Sequence, residues 1–97
     1  MNMQNLMAQA QRMQREITKK KEEIDNMEFT GKSEWVEVVY YGSKKIKSVK
    51  ILKDSISDRD DLDMLEDMIK IAADDALAQV DKEYEAKMGA YANMGLF

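Results

Sequence analysis

The sequence predicts an α+β subunit in which two long helices flank a small antiparallel sheet. Three patterns lead to this prediction: an apolar seven-residue repeat over residues 3–27, a β-branched and aromatic stretch over residues 35–52 divided by a glycine, and a second helical repeat from residue 62. At 97 residues the chain has the length of one domain, residues 1–97. A chain of this size buries only about two thirds of its unfolded surface. Because long helices leave one copy with little core, we expect a homodimer.

The first helix, residues 1–27, is predicted to carry an apolar seam. The seam has two rows of seven-residue spacing, offset by three positions: Met3, Ala10, Ile17 and Ile24, and Leu6, Met13, Lys20 and Met27. Residues 3–27 contain no Gly or Pro and are rich in strong helix formers. Lys20 is the polar exception, which we expect to set the register or to end the tightly packed part. We expect the seam to be core around residues 17–27 and to project over residues 3–13.

Residues 28–53 are predicted to form the sheet. Gly42-Ser43 is a plausible two-residue turn between a strand starting near Trp35 and a return strand ending at Leu52. With this turn, Val36 would lie opposite Val49. One face would then carry the core side chains of both strands, namely Val36, Val38, Tyr40, Val49 and Ile51.

Residues 54–61 predict an acidic linker, residues 62–90 a second long helix and residues 91–97 a flexible tail. Asp58, Asp60 or Asp61 can cap this helix and suit its positive end. The small Ala72 and Ala76 favour close approach of another helix or a sheet. The residues predicted to form the core or the dimer interface are Ile17, Ile24, Val36, Val38, Val49, Ile51, Leu65, Ile69, Ala72 and Ala76.

The net charge of −4 conceals an uneven distribution, because residues 1–53 sum to +4 and residues 54–97 to −8. Phosphate contacts depend on charge within a Debye length, about 8–10 Å, so a locally basic surface can bind nucleic acid. Two basic segments, residues 12–21 and 44–53, supply candidate DNA contacts. These are Arg12, Arg15, Lys19, Lys21, Lys44, Lys45 and Lys47. A solvated charged face remains the alternative interpretation.

The sequence gives no support for catalysis, a cofactor or a metal site. It has no His and no Cys, which removes the commonest bases, thiol nucleophiles and zinc ligands. Gly31-Lys32-Ser33 matches the end of a phosphate-binding loop, but Asn26 replaces the required earlier glycine. The aspartates over residues 58–63 lack the central Gly and closing Glu of an EF-hand. We predict a non-enzymatic protein that binds no small-molecule substrate.

No apolar stretch approaches the roughly 20 residues needed to cross a bilayer. The polar N-terminus has no signal-peptide core, and a chain without Cys has no disulfide framework. We therefore expect a cytoplasmic protein without membrane contact.

The order and spacing of several segments resemble the YbaB/EbfC family of bacterial nucleoid-associated, DNA-binding proteins over essentially the whole chain. The segments are Asn5-Leu6-Met7, Gln9-Ala10-Gln11-Arg12-Met13-Gln14, Thr30-Gly31, Val36-x-Val38, Gly42, Val49-x-Ile51, Met64-Leu65-Glu66-Asp67-Met68-Ile69, Ala72, Asp75-Ala76 and Met94-Gly95-Leu96-Phe97.

The resemblance implies an α-β-β-β-α subunit in which Phe29-Thr30 form a short first strand. It implies a homodimer whose sheets and second helices pack together, with helices projecting as paired arms. It also implies binding to double-stranded DNA and a role in nucleoid organisation or gene regulation. Because the chain shows no base-reading motif, we expect contacts mainly with the phosphate backbone.

Two other functions fit the same plan of elements. A prefoldin-like holdase would expose apolar helix tips, here Met3, Leu6, Met7, Leu96 and Phe97. A structural dimer would bind a basic protein partner through the acidic residues 58–85.

Overall fold

The structure, a computed structural model, describes residues 2–94. Its elements are α1 (Met3–Asn26), β1 (Glu28–Lys32), β2 (Val36–Tyr41), β3 (Ile46–Ile51) and α2 (Arg59–Asn93). The strands form one antiparallel sheet in the order β1-β2-β3. The predicted α-β-β-β-α subunit is therefore confirmed. Leu96 and Phe97 lie outside the described residues.

Side-chain caps fix where both helices begin. The Asn2 side chain accepts a hydrogen bond from the Asn5 N–H at 2.9 Å, and the Asp58 side chain accepts one from the Asp61 N–H at 2.9 Å. Because the cap is Asp58, α2 begins at Arg59, before the predicted start at residue 62, and it continues past residue 90 to Asn93. The first turn of α2 carries acidic residues, whereas the first turn of α1 carries none.

The hairpin between β2 and β3 differs from the prediction. The two-residue turn is wrong, because residues 42–45 all lie between the strands and Lys44 has a φ of 71°. Val38, rather than Val36, lies opposite Val49. The cause is docking against α1: the Gly42 N–H donates to the Met27 carbonyl at 2.9 Å. A shift of two positions leaves the same side chains on the same face.

The sheet approaches α2 closely at Gly31. A Cβ at this position would overlap the Ala72 carbonyl oxygen and the Ala76 amide nitrogen. Ala72 and Ala76 are themselves fully buried. The close approach predicted from these two alanines is therefore made by β1.

The helix α2 packs on β1 and β2 but not on β3. Val49 and Ile51, predicted to face the core, are consequently each 48% exposed, and Ile69 is half-buried. Burial of Val49 and Ile51 within one subunit is a wrong prediction, because β3 extends beyond the helix that covers the other strands. The remaining predicted core residues are buried: Ile17, Ile24, Val36, Val38, Leu65, Ala72 and Ala76.

The subunit is elongated, with dimensions of 72 × 20 × 14 Å. Its radius of gyration of 19.6 Å exceeds the roughly 13 Å of a compact 100-residue domain. Part of the cause is that α1 and α2 are antiparallel and overlap along only part of their lengths. No helix within residues 2–94 is long and apolar enough to cross a membrane.

Candidate nucleic-acid interface

The first part of α1 projects beyond the rest of the subunit. Lys20 lies beside Tyr91, close to the end of α2 at Asn93. At a rise of about 1.5 Å per residue, α1 passes the end of α2 before reaching its own N-terminus. Residues 3–12 are all exposed. We call this segment, residues 3–12, the arm.

Two polar contacts fix α1 against α2 below the arm. Lys20 Nζ donates to the Tyr91 hydroxyl at 3.0 Å and lies 5.0 Å from its ring centroid, and the hydrogen bond raises the pKa of Lys20. The Tyr84 hydroxyl donates to the Asp25 carboxylate, and burial together with this hydrogen bond raises the pKa of Tyr84 to about 12. The sequence analysis missed the two tyrosines as positioning residues. The polar Lys20 within an apolar seam was the available signal.

Three predicted contacts share one face at the base of the arm. At about 100° per residue, Arg12, Arg15 and Lys19 lie on the side of α1 opposite the apolar seam. All three are exposed, and their side chains make no hydrogen bond or ion pair within residues 2–94. Residues 2–15 contain no acidic side chain, the first being Glu16. We call Arg12, Arg15 and Lys19 the cationic face.

The helix does not bring Lys21 to the cationic face. Lys21 is exposed, but it lies about 200° around α1 from Lys19. This places it on the side of the apolar seam. Helical periodicity was the signal that separates Lys21 from the other cations of the same sequence segment.

The hairpin cations lie at the other end of α1, where the turn contacts Met27. Lys44 forms an ion pair with Asp81 at 3.4 Å, and Lys47 forms one with Glu28 that raises the pKa of Lys47. Lys45 is exposed and makes no ion pair within residues 2–94. Within one subunit, these three residues neither adjoin the cationic face nor match its lack of acidic partners.

The acidic residues near the start of α2 lie far from the arm. The 35 residues of α2 span about 52 Å, and it is the C-terminal part that contacts α1. Arg59 at the opposite end pairs with Asp63 at 3.1 Å and with Glu66 at 3.6 Å. The strongest negative charge of the chain is therefore remote from the cationic face.

A model of the YbaB/EbfC DNA-binding family matches residues 1–96. A nucleoid-associated protein of Streptococcus agalactiae is 43% identical over 94 residues, covering 95% of this chain and 94% of the relative. One of Lactobacillus acidophilus is 42% identical over 93 residues, covering 94% and 83%. One of Enterococcus faecalis is 38% identical over 92 residues, covering 93% and 88%.

Proposed function

Since this chain belongs to the YbaB/EbfC DNA-binding family, we propose that it binds double-stranded DNA as a non-enzymatic homodimer. Contacts are mainly with the phosphate backbone, and the protein associates with the nucleoid. The names of its relatives as nucleoid-associated proteins support a role in nucleoid organisation or gene regulation.

The observation that carries this proposal is the cationic face. Arg12, Arg15 and Lys19 have no carboxylate partner within residues 2–94, so binding a phosphate costs them no internal ion pair. Arg can also contact a phosphate through two parallel hydrogen bonds. The projecting arm lets a duplex approach this face without meeting the acidic start of α2. Lys45 can add contacts if the dimer brings the hairpin near an arm.

The two edges of the sheet support the homodimer. Side chains of α2 occupy the outer edge of β1: Gln79 Nε2 donates to the Thr30 carbonyl at 2.8 Å, and the Lys32 N–H donates to Asp75 Oδ2 at 3.1 Å. The edge at β3 lacks such a cover, and its side chains Val49 and Ile51 are half exposed. An open edge beside uncovered apolar side chains favours pairing with another chain. A second copy joined at β3 would supply the missing cover.

The direct test is a charge-reversed variant of the cationic face. We expect Arg12→Glu, Arg15→Glu and Lys19→Glu together to abolish the gel shift of a short duplex at low salt, because phosphates then face carboxylates. Circular dichroism and sedimentation should show unchanged helix content and assembly. A folded triple variant that binds DNA like the wild type would refute the cationic face as the contact surface.

The same preparations distinguish the alternative functions. A wild-type protein that shifts no duplex but suppresses aggregation of a denatured client would favour the holdase, for which Met3, Leu6 and Met7 are exposed. A wild-type protein that binds a basic polypeptide instead of DNA would favour the structural dimer.

A further inference from the structure

The arm exposes an apolar surface that the cationic face does not explain. Met3 is 77%, Leu6 45% and Met7 59% exposed. They continue the seam whose later members, Ile17 and Ile24, are buried against α2. The same seam is therefore a packing surface along one part of α1 and lacks a partner where α1 passes the end of α2.

The residues beside this exposed seam favour contact with an identical helix. Charges at the positions flanking a heptad seam decide which helices pair, because like charges repel. The flanking positions along the arm are neutral: Asn2, Met7, Gln9 and Gln14. Farther along α1, the flanking positions carry charge at Glu16, Lys21 and Glu23. Two arms can thus meet along the seam without electrostatic repulsion.

Helix energetics also favour a partner for the arm. A helical segment this short is marginally stable in water unless its apolar side is covered. The small Ala10 in the middle of the seam allows two helices to approach closely. The arm has no other element of residues 2–94 along it, since all its residues are exposed.

We infer that the seam of the arm, formed by Met3, Leu6, Met7 and Ala10, is a docking surface for the arm of a second copy of this chain. The cationic face lies on the opposite side of the helix and stays accessible in such a pair. Joined arms therefore present two cationic faces pointing away from each other, which suits holding two DNA segments together. The inference does not depend on the proposed DNA contacts, because the arms would pair in the absence of DNA.

Single-cysteine variants test this directly, since the natural chain has no cysteine. Leu6→Cys places a thiol on the seam, and the matched control Ala8→Cys places one on the opposite side of the same turns. With a short thiol–thiol crosslinker and no DNA, we expect Leu6→Cys to give a covalent pair on a denaturing gel and Ala8→Cys to stay single. Equal crosslinking of both variants, or none of either, would overturn the inference.

A polar substitution supplies a second readout. We expect Leu6→Gln to lose self-association, measured as a lower weight-average mass in sedimentation at the same concentration, whereas Ala8→Gln keeps the wild-type value. Circular dichroism monitors folding of both variants. An unchanged mass for folded Leu6→Gln would show that another segment of the same chain, or none, covers the seam. If the arms pair but no duplex is bound, this inference stands and the proposed function fails.

Discussion

The salt dependence of DNA binding should separate the unpaired cations from the paired ones. Each phosphate neutralised on duplex DNA contributes about −0.9 to the slope of log affinity against log salt. The cationic face offers three cations per subunit, so a homodimer engaging four to six phosphates should show a slope of about −4 to −5. We expect the triple variant Arg12→Gln, Arg15→Gln and Lys19→Gln to lose most of this slope.

The hairpin should contribute less per charge removed. Lys44 and Lys47 already interact with Asp81 and Glu28, so a phosphate must compete with a carboxylate of the same chain. We therefore expect the double variant Lys44→Gln and Lys47→Gln to change the slope by less than 0.9 per residue. Fluorescence anisotropy of a labelled duplex, titrated between about 50 and 200 mM salt, gives each slope.

A control with the same loss of bulk charge uses cations of α2, replaced as Lys70→Gln, Lys82→Gln and Lys87→Gln. Its slope should match the wild type, because these residues lie outside the cationic face. If this control lowers the slope as much as the arm variant does, binding responds to overall charge and the reasoning from local contacts is wrong. A folded arm variant with the wild-type slope would refute it equally.

Three further predictions concern the scaffold. Gly31→Ala should lower the free energy of unfolding by about 1–3 kcal/mol or more, measured by urea denaturation, because the added Cβ overlaps the backbone of α2 at Ala72; an unchanged midpoint would contradict this close approach. Tyr84→Phe removes the hydrogen bond to Asp25, and its stability deficit should be full below about pH 10, the unfolded tyrosine pKa, and shrink as the pH rises towards the folded pKa of about 12. A deficit that does not vary over this range would argue against the raised pKa. Val49→Lys should dissociate the homodimer in sedimentation, since a charge on an open edge opposes pairing, whereas a dimer of wild-type strength would place the interface elsewhere.

The sequence alone determined those features of the protein that depend on local pattern. The heptad seam predicted α1 and its division into a packed part and a projecting part, because the seam is continuous while its large aliphatic members lie at Ile17 and Ile24. The alternation around Val36 and Val38 predicted a buried strand. The small Ala72 and Ala76 predicted a close approach, although the sequence did not specify that the partner is Gly31.

The tertiary structure alone decided which of the predicted residues are available. Lys44 and Lys47 look as basic in the sequence as Arg12 and Arg15, yet their carboxylate partners, Asp81 and Glu28, are distant along the chain and meet them only on folding.

The exposure of β3 has the same kind of cause. The pattern of Val49 and Ile51 predicts an apolar face, but whether that face is covered depends on where α2 crosses the sheet. The hairpin register likewise follows from docking of Gly42 against the end of α1 rather than from the turn residues themselves. Local periodicity fixes the elements and their faces, whereas pairing and coverage depend on contacts between residues far apart in sequence.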